Sequence, residues 1–137
     1  YFFSNLKSIS TIISIDNDSE NFTNLSGSEN YCRSYLKKHQ LNKINFKNGD
    51  SRKVIPNLNK NLKFDIVLLD SANEPKLILE EAKAVIEYLN KPSVLIIDDV
   101  NQNGKKGDLA IPFMESLGYK SNILDCRPNG CAYFFIE

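Results

Sequence analysis
The sequence predicts an α/β protein: a mostly parallel sheet with helices on both faces and an antiparallel hairpin at the C-terminal end. Three observations predict it. Short apolar runs without helical spacing, TIISID at 11–16, FDIVLLD at 64–70 and SVLIIDDV at 93–100, read as strands, and each delivers a carboxylate at or near its end. These runs alternate with amphipathic segments, as βαβ units do. Asn129-Gly130 then separates two closing strand-like segments, a strong hairpin signal.

Each element follows from local pattern. SNLKS (4–8) reads as the tail of a helix, and TIISID as a short strand ending in an acid. Residues 19–40 read as a helix with Phe22, Leu25, Tyr31, Tyr35 and Leu36 as apolar positions, weakened in the middle by Gly27. KINFKNGD (43–50) is a strand that turns at Asn48-Gly49. SRKVIPNL reads as a short helix broken at Pro56. The FDIVLLD run predicts a strand buried on both faces. Residues 75–90 form a helix, with Pro75 in the first turn and Leu77, Ile78, Ala82, Val85, Ile86 and Leu89 at helical spacing. SVLIIDDV is a second buried strand, NQNGKKGD a loop, and Leu109 to Leu117 a helix stopped by Gly118. The remainder is two strands joined at Pro128-Asn129-Gly130.

Composition bounds the function. The 137 residues suit one domain, which buries roughly two-thirds of its unfolded surface. Hydrophobic residues make up 42% and charged residues 25%, a globular balance. With 17 basic and 17 acidic residues the net charge is zero, so no long-range field draws nucleic acid or an anionic membrane. No apolar stretch approaches the roughly 20 residues of a membrane span, and YFFSNLKS lacks the features of a signal peptide. Cys32, Cys126 and Cys131 are odd in number and form no CxxC pair, which points away from a disulfide framework or zinc site and toward a reducing, cytoplasmic setting. His39, the lone histidine, reads as a surface helix residue. The chain opens on Tyr1-Phe2-Phe3 rather than methionine, which suggests that an upstream portion precedes it.

Ligands of open α/β sheets bind outside the carboxyl ends of the strands. Asp16, Asp50, Asp70, Asp98 and Asp99 all lie at or just beyond such ends, and right-handed crossovers bring these ends to one edge. Five carboxylates on one edge of a neutral protein form a functional constellation.

The order of these elements resembles a class I S-adenosylmethionine-dependent methyltransferase, with a Rossmann-like sheet: an acid ending an early strand, NGD after the next, FDIVLLD, LIIDDV and a closing hairpin. It is most similar to the small-molecule O-methyltransferases related to catechol O-methyltransferase, over Thr11 to Glu137. The resemblance implies that Asp16 accepts hydrogen bonds from the cofactor ribose and that Asp50, with Ser51 beside it, approaches the adenine. As plain structure, both would be helix caps or turn residues. It further implies that Asp70 faces the reacting end of the cofactor and acceptor. Asp70, Asp98 and Asp99 correspond to a Mg²⁺ site in which Asp99 replaces the usual asparagine. Three such carboxylates repel unless a cation sits between them or they spread apart.

Two departures stand out. The catechol-type pattern has a basic residue three positions after the strand acid; here that position is Asn73, and Lys76, one helical turn further on, is the candidate catalytic replacement. The first strand and Gly-rich loop of the family would precede residue 11, and Tyr1 to Lys7 resembles the helix that follows that loop. The sheet as read thus lacks its central strand. The implied partner is a small-molecule acceptor, with no nucleic acid and no membrane, and a homodimer is left open. Two other readings stand beside it: a different nucleotide-binding α/β enzyme, and a non-catalytic methyltransferase-like scaffold domain.

Overall fold
Alternating apolar strands and amphipathic helices build the order of elements that the pattern demands. The computed structural model describes residues 10–17, 27–101, 106–125 and 129–137. The chain divides into two compact units, Tyr1–Val54 and Ile55–Glu137. Expectations for 4–8, for the first part of the 19–40 helix including Phe22 and Leu25, and for Cys126 and Pro128 lie outside the described residues.

In the first unit, β1 (Ile12–Asp16) is followed by α1 (Gly27–Tyr35), α2 (Lys38–Leu41) and β2 (Ile44–Asn48). The two strands pair in parallel from Ile12↔Ile44 to Asp16↔Asn48. The single helix expected up to residue 40 is broken before α2. Lys37 is extended there (φ −71°, ψ 154°), and its N–H donates to Gln40 Oε1 at 2.8 Å. A buried glutamine amide thus satisfies a donor that a continuous helix would have spent internally. On α1, Arg33 pairs with Glu29 one turn away and lies 5.5 Å from the Phe46 ring centroid on β2. His39 sits exposed on α2. Gly49 takes φ 140° at the exit of β2, and α3 (Ser51–Val54) follows.

The second unit opens with a 3-10 turn at Ile55–Asn57; the α-helix of SRKVIPNL ends at Val54, so the break expected at Pro56 is present. Its strands are β3 (Phe64–Leu69), β4 (Leu89–Asp98), β5 (Ser121–Leu124) and β6 (Cys131–Ile136), in the order β3-β4-β6-β5. β3 and β4 pair in parallel, and the C-terminal hairpin adds β6 and β5 antiparallel. Between β3 and β4 run α4 (Pro75–Val85) and a 3-10 turn at Ile86–Tyr88; α5 (Ala110–Ser116) precedes β5.

The expected 75–90 helix therefore stops early, and Leu89 begins a strand. The stop has local partners: the Tyr88 hydroxyl donates to the Leu58 carbonyl, and Lys63 Nζ donates to the Glu87 carbonyl at 2.6 Å. Register slips from Phe64↔Leu89 to Ile66↔Val94, across a stretch of β4 where Pro92 has no N–H to give a ladder. Gly118 takes φ 89° after α5, as its position in the sequence suggests.

Period-2 alternation sorts the second sheet into two faces. Leu69, Leu95, Ile97, Ala132, Phe134 and Ile136 are buried on one, as are Ile78, Ala82 and Val85 of α4 and Ala110 and Met114 of α5. The other face carries Ile66, Leu68 and Phe135, which are 47%, 45% and 57% exposed. The expectation that FDIVLLD is buried on both faces is thus corrected. Among the described residues, α4 and α5 pack on each other and cover one face of this unit. No described helix is long and apolar enough to cross a membrane.

Neighbours on β6 provide a direct check of this sidedness. Phe134→Ala should cost about 3–4 kcal/mol by urea denaturation, the range for emptying an aromatic core site, whereas Phe135→Ala should cost less than about 1 kcal/mol.

Candidate functional site
Parallel pairing levels the strand ends, and the acids collect there. In the first unit Asp16 ends β1 opposite Asn48, and its carbonyl accepts the Gly49 N–H at 2.9 Å. Asp16 and Asp50 therefore share one edge of this ribbon. The Asp16 residue is exposed. Asp50 is committed to its own surroundings. Arg52 Nη2 donates to Oδ2 at 2.7 Å, Arg52 Nε donates to Oδ1 at 2.9 Å, and the Arg52 backbone N–H reaches Oδ1 at 3.0 Å. The Asp50 carbonyl accepts the N–H groups of Lys53 and Val54, so the residue also starts α3, of which Ser51 is the first residue. The Arg52 side-chain hydrogen bonds hold the Asp50 carboxyl well below the usual carboxylate range, at about 2.

In the second unit Leu69↔Ile97 is the last parallel pair, so Asp70 and Asp98 leave adjacent strands at one level. Asp98 still pairs with Cys131, whereas Asp99 turns into the left-handed region at φ 58°. A non-glycine residue in that region costs on the order of 1 kcal/mol, a strain common at functional sites. Past this turn the chain returns with Lys106, whose side chain is 1% exposed. Its Nζ donates to Asp70 Oδ1 at 3.0 Å and stands 4.0 Å from Asp99 Oδ2. The next residue, Gly107, is closely packed: a Cβ there would come within 2.6 Å of Ile111 Cδ1 and 3.2 Å of Val100 Cγ1.

Second to this cluster is a chain through the residue after Asp70. Ser71 Oγ donates to Glu81 Oε2 at 2.8 Å, and Glu81 is a buried acid on α4. Lys76 is exposed in the first turn of α4. It lines an open cleft of about 480 Å³ with Glu74, Pro75, Asp108 and Leu109. The Asn101 N–H donates to the Asn129 carbonyl at 2.7 Å, and Asn101 Nδ2 donates to Asp125 Oδ1 at 2.7 Å. The exit of β4 is thereby tied to the hairpin.

Of the residues singled out in sequence, the structure brings Asp16 near Asp50 in one unit and Asp70 near Asp99 in the other. It does not assemble Asp70, Asp98 and Asp99 into a metal centre: among the described residues no three His, Cys, Asp or Glu side chains gather in a way that could hold an ion. The Lys106 ammonium already sits against Asp70. A Mg²⁺ bonded to that carboxylate would stand within about 5 Å of the ammonium, where repulsion at an effective dielectric near 20 is on the order of 6 kcal/mol. The donor set does not fit the metal that the resemblance implied. Sequence reasoning missed Arg52 and Glu81 and read Lys106 with Lys105 as part of a solvated loop, which the 1% exposure of Lys106 corrects. Nothing in GKKGD separates the two lysines, and only the acids seven and eight residues upstream hinted at a buried cation.

The Asp50–Arg52 pair has a pH signature. A depressed carboxyl stabilises the fold above its unfolded value, and that stability is lost as pH falls toward about 2. Carboxyl-detected NMR should find the Asp50 midpoint near that value, and Arg52→Ala should return it to the ordinary range near 4.

Comparison with known proteins adds the family context. No family model matches the chain, and no curated protein matches it in sequence. Solved structures do match. A Staphylococcus aureus protein described as a caffeoyl-CoA O-methyltransferase superposes with TM-score 0.69 at 15% identity, over 93% of this chain and 65% of its own. CalS11, a TDP-rhamnose 3′-O-methyltransferase of calicheamicin biosynthesis, gives 0.67 at 20%, over 91% and 58%. The SAH-bound Podospora anserina methyltransferase PaMTH1 gives 0.69 at 11%, over 96% and 63%. The chain therefore spans about three-fifths of the length of these proteins. Its strand order, its closing antiparallel hairpin and these superpositions agree: the chain has the fold of the class I S-adenosylmethionine-dependent methyltransferases, in the form seen in O-methyltransferases.

Proposed function
We propose that this chain serves an S-adenosylmethionine-dependent methyltransferase that methylates an oxygen of a small-molecule acceptor. One observation carries the reading: the fold likeness to O-methyltransferases, one of them holding SAH, in a chain whose carboxylates stand at strand C-termini. Asp16 holds the ribose: it stands as an exposed residue at the end of β1, and a carboxylate can take a hydrogen bond from each of two vicinal hydroxyls. Asp50 acts through its grip on Arg52 and the start of α3, with Ser51 next to it, more than through an open carboxylate. When bound, S-adenosylmethionine supplies a sulfonium methyl group, and the protein's task is to position a nucleophilic oxygen in line with it.

Acceptor positioning falls to the second unit. Asp70 is half exposed and keeps its Oδ1 on Lys106, so its outer side can accept an acceptor hydroxyl. Lys76 and Asp108 line the cleft at the starts of α4 and α5, together with the apolar Pro75 and Leu109. The scaffold reading rests on Asn73, which stands where the family has a base and has no group to take a proton at neutral pH.

Calorimetric titration of S-adenosylhomocysteine into the full-length protein separates the two. Micromolar binding, weakened by about tenfold or more in Asp16→Ala, is the outcome expected for a charge-assisted ribose contact. A folded protein that binds no S-adenosylhomocysteine would sink the enzyme reading and put the scaffold first.

A further inference from the structure
We infer that the Lys106 ammonium is the resident cation of the Asp70–Asp99 carboxylate pair, so that this strand-end site works without a divalent metal and engages its acceptor through a single hydrogen-bonding group. The first half rests on geometry alone. Lys106 Nζ is 3.0 Å from Asp70 Oδ1 and 4.0 Å from Asp99 Oδ2, on a side chain 1% exposed. The two carboxylates differ in access, at 50% exposed for Asp70 and 26% for Asp99. The ammonium thus lies on the inner side of the pair. Asp99 reaches it from a left-handed backbone, and Gly107, next to Lys106, leaves no room for a Cβ beside Ile111 and Val100. Strand ends, strained turn and glycine contact converge on one cation position.

The second half rests on the methyltransferase reading. A divalent ion would chelate two acceptor oxygens at once and so select vicinal diols. An ammonium held inside by two carboxylates, with Asp70 Oδ1 already engaged, leaves the half-exposed Asp70 carboxylate to accept an acceptor hydroxyl without chelating two oxygens. The acceptor class that fits is a lone hydroxyl on a small molecule, with no second oxygen required beside it. Lys106 is a positioning residue here: it holds Asp70 and touches no acceptor.

The test is Mn²⁺ binding followed by electron paramagnetic resonance, which needs neither cofactor nor turnover. The wild type should leave millimolar Mn²⁺ free. Lys106→Met removes the ammonium but keeps the packing, and should bind Mn²⁺ at least about tenfold more tightly, with the gain lost in the K106M/D99N double variant. Equal binding by wild type and K106M, or no gain in a K106M protein with a cooperative melt, overturns the inference. Should K106M not fold, the wild type alone decides: its Tm should be the same in Mn²⁺ and in EDTA, and a rise with Mn²⁺ overturns the inference. Loss of S-adenosylhomocysteine binding would remove the proposed function and the acceptor class while leaving the Mn²⁺ comparison intact.

Discussion
A lysine cannot be buried without a partner, and that constraint organises the strand-end edge of the second unit. Lys106 is almost wholly enclosed, so a carboxylate must come to it, and Asp70 does so from the end of β3. For Asp70 to arrive there, β3 and β4 must run parallel and finish level, as Leu69↔Ile97 ensures. For the lysine to arrive, the chain must turn sharply after β4 and return. Asp99 takes a left-handed backbone at the end of β4, and Gly107 beside the lysine lies close against Ile111 and Val100. The pair is therefore a junction between sheet and loop. Its half-exposed outer carboxylate is what a small molecule would meet.

Much of the fold was legible because burial imposes periods. Strands β1, β3 and β4 appeared as apolar runs without helical spacing, β2 as the alternation of Ile44 and Phe46, α4 as a helical stripe behind Pro75, and the hairpin from Asn129-Gly130. The failures have equally local causes. Gln40 captured the Lys37 N–H and split a helix that apolar spacing alone would continue. Tyr88 and Lys63 fixed a stop at residue 88, where hydrophobic periodicity ran on to Leu89. An apolar run says that side chains avoid water, but it does not say on how many sides cover exists. Ile66 and Leu68 therefore read as buried in sequence and stand exposed among the described residues.

The candidate site was half legible for a different reason. Strand topology places acids at carboxyl ends, and that much follows from the order of elements. Which cation answers each acid depends on contacts that topology leaves open. Arg52 lies two residues from Asp50, and its fork geometry could have been suspected from the spacing. Lys106 lies 36 residues from Asp70, and its role depends on one turn made at Asp99. The metal was implied by the resemblance, and repulsion among the acids asked only for a positive charge or for distance between them; in the structure Lys106 stands 3.0 Å from Asp70 and 4.0 Å from Asp99.

This substitution of a side chain for an ion bears on how much chemistry a shared fold can imply. A metal is exchangeable, brings two units of charge and opens several coordination positions to a ligand. A buried ammonium is fixed in place, brings one unit of charge, and here spends it on two protein carboxylates before any ligand arrives. The same sheet, hairpin and acidic strand ends are thus compatible with either kind of cation, and in this chain the cation described against Asp70 is Lys106. The superposed structures establish the sheet and its order; at 11–20% identity they carry no information on that loop's side chains. The position of Lys106 is for that reason what sets this strand-end edge apart physically: its carboxylates meet a fixed ammonium.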